Sequence, residues 1–194
     1  MNVYPKSEHR LAKGTVCMVR GEDADYLCVS GANPGFAGEM SNEAFLAPLT
    51  HENAEVLRAV VPALEKHDVT IALEPLTPTQ TNFLTTAAEA VALARRVGSP
   101  RCRLHLDCKA MTSETTPIPE LIHRHRDLLA HFHVNDPNAR GPGFGKLDFV
   151  PILKALRQID YRGWVSVEVF DYAPGAERLA RESIKYLRAC DGAN

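Results

Sequence analysis

Four apolar runs in this sequence each lead to a side chain that can bind a metal ion or transfer a proton. The runs are TIALEPL, CRLHLDCKAM, AHFHVND and WVSVEVFDY, and the side chains are Glu74, Asp107, His133 and Glu168. Successive members of this set are 33, 26 and 35 residues apart. A strand, a crossover helix and two loops need about 30 residues, so the spacing indicates one βα unit per step. Because the carboxyl ends of parallel strands meet at one edge of a sheet, we expect a single shared site.

Three carboxylates and one imidazole form a donor set made mostly of oxygen. Such a set suits a hard or borderline divalent ion such as Mn²⁺, Mg²⁺ or Co²⁺, whereas structural Zn²⁺ sites prefer Cys and more His. A bound ion could chelate a carbonyl and a hydroxyl of a substrate and stabilise the enediolate formed when a neighbouring proton is removed. One carboxylate could serve as base and another as acid. Each carboxylate alone is more simply explained as a helix cap or a surface ion pair, so it is their common spacing that favours a site.

The elements that must position these residues follow from alternating strand-like and helix-like segments after Thr50, which predict a parallel sheet covered by helices. Side chains at strand ends suit either a (β/α) barrel or an open doubly wound sheet. The predicted strands are Thr15–Val19, Tyr26–Ser30, Val69–Leu73, Arg103–Leu106, the run ending at His133, and Trp164–Val169. The predicted helices run from a Thr50 cap to about His67, from a Thr86/Glu89 capping box to Gly98, from Thr116 to Leu129, after Asp148, and over about Gly175–Cys190. Pro62 should bend the first helix.

Composition limits the classes of protein to consider. The 194 residues are enough for one domain with a substantial core, and 45% hydrophobic with 24% charged residues is ordinary for a globular chain. A net charge of −2 gives no reason to expect nucleic acid as a partner. No apolar run reaches membrane-spanning length, and the N-terminus lacks an apolar signal core. The five cysteines show no CxxC spacing and fit reduced thiols, so we expect a cytoplasmic protein with no membrane partner.

The segments IALEPL, LHLD, HFHVND and VSVEVF, with the loop GPGFGKLDF between the last two, resemble the sugar phosphate isomerase/epimerase group. This group has the xylose isomerase-like TIM barrel and includes the ketose 3-epimerases. The resemblance covers about Ala47 to Leu187. It implies a metal-dependent isomerase or epimerase that moves a proton next to the carbonyl of a ketose, with a small-molecule sugar as substrate.

The resemblance also implies roles for individual residues. In the family, the corresponding Glu, Asp, His and Glu bind one divalent ion, with Mn²⁺ expected first and Mg²⁺ or Co²⁺ as alternatives. Carried over, the metal ligands are Glu74, Asp107, His133 and Glu168. Glu74 and Glu168 would also be the catalytic acid/base pair on opposite faces of the ketose. The family's substrate-binding Arg implicates Arg140, although its offset from the His is shifted by one.

Two substitutions depart from the family pattern at substrate-contacting positions. Gln80 stands where the epimerases have a Glu six residues after the first ligand. Ala110 stands where they have a His three residues after the Asp, with Lys109 beside it. Gln80 and Lys109 are therefore candidate substrate-binding residues, and the departures affect the identity of the sugar more than metal binding. His105 and His131 precede ligands by two residues, and we expect them to be core or hydrogen-bonding groups rather than ligands.

The length of the chain predicts an incomplete barrel. A full barrel needs eight βα units and about 250 residues, but only 73 residues precede Glu74. We therefore expect a single domain over residues 1–194 with about five or six βα units, lacking N-terminal strands. In it, residues 46–190 form the βα units and an irregular segment 1–45 covers an edge. Since an opened barrel exposes strand edges, Thr15–Val19 or Tyr26–Ser30 should patch one, or a second copy should cover it in a homo-oligomer.

Alternative functions stay open at this point. A lyase of the same fold, such as an inosose dehydratase, would use the same ion but eliminate water. A truncated barrel could keep the fold and the metal without turnover, and the short N-terminus, Gln80 and Ala110 favour that reading. An abasic-site endonuclease would need more His and acidic ligands and a basic groove, which the net charge of −2 speaks against.

Overall fold

The computed structural model describes residues 16–18, 26–30 and 42–192, with side-chain environments from residue 53 onward. The chain forms two compact units, Met1–His105 and Leu106–Asn194. Within the described residues there are six strands and six helices, which alternate from β3 onward apart from two successive short helices after β4. No helix in these described stretches is long and apolar enough to cross a membrane.

The first unit is built on strands that pair in chain order. Its elements are β1 (Val16–Met18), β2 (Tyr26–Ser30), α1 (Asn42–Lys66), β3 (Thr70–Glu74), α2 (Ala87–Val97) and the start of β4 (Cys102–Asp107). Strand β1 runs antiparallel to β2, whereas the β2–β3 and β3–β4 pairs are parallel. Both N-terminal strands predicted from the sequence therefore exist, and the antiparallel β1 comes first in the order of the paired strands.

Helix α1 differs from the prediction at its start. It begins at Asn42, eight residues before Thr50, and runs on to Lys66 through Pro62. A proline removes one N–H bond, but packing of the remaining turns can outweigh that loss. One such contact is visible at Arg58, whose Nε donates to the carbonyl of Val97 at 3.4 Å. The end of α2 thus anchors α1.

The caps of α2 match the sequence prediction. The Thr86 side chain accepts from the backbone N–H of Glu89 at 3.2 Å, and the Glu89 carboxylate accepts from the backbone N–H of Thr86 at 3.3 Å. Gly98 follows in the left-handed conformation with φ of 74°, which only glycine adopts without strain. The Gly98 cap ends α2, and four residues then separate the helix from the start of β4.

The second unit carries α3 (Cys108–Met111), α4 (Ile118–Arg124), β5 (Leu129–Val134), α5 (Val150–Gln158), β6 (Trp164–Val167) and α6 (Ala176–Gly192). Strands β5 and β6 are parallel, with His133 opposite Ser166 and Val134 opposite Val167. Its core contains Phe132, Phe149 and Ile122, all fully buried. Two predicted boundaries were wrong: α4 stops at Arg124 rather than Leu129, and β6 stops at Val167 rather than Val169.

Strand β6 is the most exposed strand for which burial is described. Trp164 is 61% exposed and Val165 is 38% exposed. Two further aromatic side chains just beyond the strand, Phe170 and Tyr172, are 57% and 59% exposed. Large apolar side chains are usually more buried than this in a parallel sheet.

Candidate metal centre

Asp107 is the last residue of β4 and at the same time the N-cap of the short helix α3. Its side chain accepts a hydrogen bond from the backbone N–H of Ala110 at 2.7 Å through Oδ1. The strand and the helix turn therefore fix the position of the carboxylate from two sides. Only 4% of the residue is exposed, so this carboxylate has few waters with which to interact.

His133 and Glu168 approach Asp107 from the two neighbouring strands of the second unit. The Nδ1 atom of His133 lies 3.7 Å from Oδ2 of Asp107 and 3.3 Å from Oε2 of Glu168. Glu168 follows β6 directly, and its backbone N–H donates to the carbonyl of Val134 at 3.4 Å. The β5–β6 register thus places an imidazole between two carboxylates.

Asn135 completes this cluster, although the sequence did not single it out. Its Nδ2 donates to Oδ2 of Asp107 at 2.6 Å and lies 3.5 Å from Oε2 of Glu168. Its Oδ1 accepts from the backbone N–H of Lys109 at 2.8 Å. Asn135 lies two residues after His133, and this period of two, which places alternate residues of a strand on one face, is the only sequence signal that pointed to it.

The electrostatics of the two carboxylates differ. Burial raises the pKa of Asp107, and the charge of Glu168 raises it further, against the hydrogen bond from Ala110 and the nearby His133. Burial would also raise the pKa of Glu168, but His133, Asp107 and Lys109 together lower it below its ordinary value. The arrangement places a second negative charge beside the nearly buried Asp107, and a cation would relieve the repulsion between the two carboxylates.

The residues present fit a single divalent ion. One ligand atom from each of Asp107, His133 and Glu168 can be chosen so that all three lie within 4.8 Å of one another. Ligand bonds of ~2.0–2.3 Å place neighbouring ligand atoms about 3 Å apart and opposite ones about 4.4 Å apart. Two carboxylates and one imidazole suit Mn²⁺, Mg²⁺ or Co²⁺. The structure therefore brings together three of the four predicted ligands within the second unit.

The fourth predicted ligand, Glu74, belongs to the first unit. It ends β3, is 8% exposed, and has its Oε2 atom 3.6 Å from Nδ1 of the fully buried His105. His105 therefore lies in the core beside a predicted ligand. In the second unit, His131 packs edge-on against His133 with 5.0 Å between ring centroids. Burial, followed by the neighbouring His133, lowers the pKa of His131 to about 4, so this ring is neutral at neutral pH.

The three predicted substrate-binding residues lie in different surroundings. Gln80 is exposed and accepts from the Thr77 hydroxyl at 2.9 Å. The Lys109 ammonium lies 5.4 Å from the centre of the Phe170 ring, and its positive charge helps to lower the pKa of Glu168. The Arg140 Nε donates to Oδ2 of Asp171 at 2.8 Å.

The loop that carries Arg140 is held at both ends. Asp136, 3% exposed, accepts backbone N–H bonds from Lys146 at 3.3 Å and Leu147 at 3.2 Å. The carbonyl of Ala139 accepts from the N–H groups of Phe170 and Asp171, both at 2.8 Å. The segment after β5 is therefore tied to the segment after β6. Neither Asp136 nor Asp171 was recognised from the sequence, because short polar residues in a Gly- and Pro-rich loop look like ordinary turn formers.

Comparison with known proteins gives a consistent picture of what the chain resembles. A family model described as the xylose isomerase-like TIM barrel matches residues 32–190. A probable ketose 3-epimerase of Synechocystis is 28% identical over 175 residues, which cover 82% of this chain and 61% of that protein. The 3-dehydro-D-guloside 4-epimerase of Escherichia coli K12 is 28% identical over 137 residues, covering 71% of this chain and 52% of that protein.

A solved structure supports the fold. The crystal structure of a D-psicose 3-epimerase in the presence of D-fructose superposes with a TM-score of 0.75 at 23% identity, covering 87% of this chain and 65% of that chain. This chain thus spans about three fifths of the length of such relatives. The match agrees with a parallel, helix-covered sheet that corresponds to part of a barrel.

Proposed function

Because this chain belongs to the xylose isomerase-like TIM barrel family, we propose that it is a divalent-metal-dependent sugar epimerase or isomerase acting on a ketose. The observation that carries the proposal is the cluster of Asp107, His133 and Glu168. Similarity to ketose 3-epimerases and to a 4-epimerase supports the class of reaction.

We assign the metal to Glu74, Asp107, His133 and Glu168, with Mn²⁺ as first choice. The place of Glu74 in this set rests on the family resemblance and on its position at the end of β3. When bound, the ion would supply positive charge beside the carbonyl and hydroxyl oxygens of the ketose. The chain's own part is to hold the ion and to move the proton.

Glu74 and Glu168 are the proposed acid/base pair. The lowered pKa of Glu168 keeps its carboxylate ionised at neutral pH, the form that binds a cation and accepts a proton. Arg140, Lys109 and Gln80 are the proposed contacts to the sugar hydroxyls. Gln80 and Ala110 replace the family's Glu and His at substrate-contacting positions, and we propose that these replacements affect which sugar is accepted. A homo-oligomer is part of the same proposal.

The experiment is a panel of ketoses, assayed by product analysis with Mn²⁺, Co²⁺ or Mg²⁺. We expect interconversion of epimers in the presence of metal and a loss of about 10²–10⁴-fold in kcat in Glu168→Gln. Glu182→Gln, an exposed change on α6 where Glu182 pairs with Arg178, is the matched control. Release of water from an inosose instead would assign a lyase. Tight metal binding with no turnover on either substrate class would identify a non-catalytic barrel.

A further inference from the structure

The Asn135 side chain is wholly buried and lies between two of the proposed metal ligands. We propose that Asn135 is a positioning residue that holds Asp107 and Glu168 in the arrangement that receives a divalent cation. This inference rests on the proposed function, since it concerns the same site. It adds a residue for which neither the motif pattern nor the family resemblance gave a role.

The orientation of the amide follows from its backbone partner. The N–H of Lys109 can only donate, so the atom of Asn135 that it reaches at 2.8 Å must be the carbonyl oxygen. The NH₂ group then points to the carboxylates. Its two hydrogens serve two acceptors, Oδ2 of Asp107 at 2.6 Å and Oε2 of Glu168 at 3.5 Å.

A carboxamide suits this place for a physical reason. Asp107 is nearly buried, whereas the side chain of Glu168 is 33% exposed. Their charges repel each other, and a neutral donor between them offsets the repulsion without adding a charge that would compete with the cation. Each carboxylate oxygen can accept more than one hydrogen bond or metal bond. The hydrogen bonds from the amide therefore leave these oxygens able to bind a cation. An aliphatic residue in the same space would leave both carboxylates to move apart.

Asn135 also connects the ligands to the backbone. Lys109 is the second residue of α3, the helix whose N-terminus holds the other oxygen of Asp107 through Ala110. Asp107 is therefore held on Oδ1 by the helix and on Oδ2 by Asn135. Glu168 lies just after β6, and Asn135 connects it to the end of β4 together with His133, whose Nδ1 lies near both carboxylates.

The test compares Asn135→Ala with Asn138→Ala. Asn138 is an exposed amide in the same loop; its Nδ2 donates to the carbonyl of Phe144 at 2.8 Å, and its Oδ1 accepts from the backbone N–H of Arg140 at 3.0 Å. The control therefore removes one amide from the loop but leaves the carboxylates untouched, and it is compared for Co²⁺ binding only. Affinity for Co²⁺ is measured by calorimetry and ligand geometry by the visible absorption of bound Co²⁺, with circular dichroism to establish folding. We expect Asn135→Ala to bind Co²⁺ about 10–100-fold more weakly, with a changed absorption band.

Kinetics and a second variant complete the design. On the ketose identified by the substrate panel, kcat should fall more than KM rises in Asn135→Ala. If the alanine variant does not fold, the Co²⁺ affinity and spectrum are measured instead on Asn135→Ser, which keeps a short polar group. A folded variant with the Co²⁺ affinity and spectrum of Asn138→Ala would overturn the positioning role alone. Wild-type protein that binds no divalent cation would overturn the proposed function together with it.

Discussion

The carboxylate of Asp136 lies directly against the backbone of Gly145. A Cβ atom at Gly145 would fall 1.8 Å from Oδ1 and 1.9 Å from Cγ of that carboxylate. Since real Cβ contacts of this length do not occur, an alanine at this position would force the buried Asp136 carboxylate to move. The same carboxylate accepts the N–H groups of Lys146 and Leu147, so the close approach and the hydrogen bonds depend on each other.

We therefore expect Gly145→Ala to lower the free energy of unfolding of the second unit by about 1–3 kcal/mol, because the added methyl must displace a buried, hydrogen-bonded carboxylate. Urea unfolding followed by circular dichroism measures this. Gly192→Ala is the control, since a Cβ there meets nothing within 4 Å. Equal unfolding midpoints for the two variants would contradict the close packing at Asp136.

Divalent metal should stabilise the folded protein. At a concentration 100 times its Kd, a ligand that binds only the folded state adds about 2.7 kcal/mol, which corresponds to roughly 5–10 °C in Tm for a chain of this size. We expect Mn²⁺ to raise Tm by this amount and Asp107→Asn to lose most of the rise. The exposed Asp160→Asn, whose carboxylate pairs with Arg162, should keep it. A rise that is the same in both variants would place the cation elsewhere.

Arg140 should act on substrate affinity rather than on metal binding. Its guanidinium is oriented by Asp171, whose pKa is lowered by the backbone N–H of Ala173 and then by Arg140 itself. The ion pair between Arg140 and Asp171 is therefore present at neutral pH and is lost only as the pH falls through the lowered pKa of Asp171. Arg140→Ala would remove the proposed charged hydrogen bond from Arg140 to the sugar, and the loss of such a bond costs ~1.5–3 kcal/mol. The variant should therefore raise KM by about 10–150-fold and leave the Co²⁺ affinity unchanged. Arg162→Ala, which removes an exposed arginine, is the control, and an unchanged KM in Arg140→Ala would remove Arg140 from the substrate site.

Cys102 should be chemically inert in the folded protein. Burial raises the pKa of its thiol to about 12, so at pH 8 only ~1 in 10⁴ of these thiols is ionised, against a sizeable fraction in the unfolded chain. Alkylation by iodoacetamide, followed by mass spectrometry of the Cys102 and Cys108 peptides, should be at least about 10³-fold slower in buffer than in urea. Rapid labelling of native protein would show that β4 opens readily. Because the shift is upward, raising the pH toward 12 should speed the native reaction.

Part of this structure could be predicted because its signals are either local or regularly spaced along the chain. The Thr86/Glu89 capping box and the left-handed Gly98 depend on residues within one turn, and both were predicted correctly. The clustering of Asp107, His133 and Glu168 followed from the spacing of strand ends. The role of Glu74 in that cluster stays a prediction.

The errors arise where distant contacts decide. Thr50 has the chemistry of a helix cap, yet α1 begins at Asn42 because packing of a long helix can outweigh a local start signal. The four residues after Arg124 look helical but form the turn that lets the chain enter β5 at Leu129. Asn135 was passed over because a single amide has no periodic pattern, and its significance depends on carboxylates 28 and 33 residues away.

The exposed position of Trp164 on β6 has a practical consequence, because it is the one tryptophan in the chain. An indole that is 61% exposed should emit at the red end of its fluorescence range and be quenched readily by iodide. Any polypeptide that comes to lie over this strand would move the emission to shorter wavelength and shield the indole from the quencher. The native chain therefore carries its own optical reporter of whether β6 is covered, with no label needed.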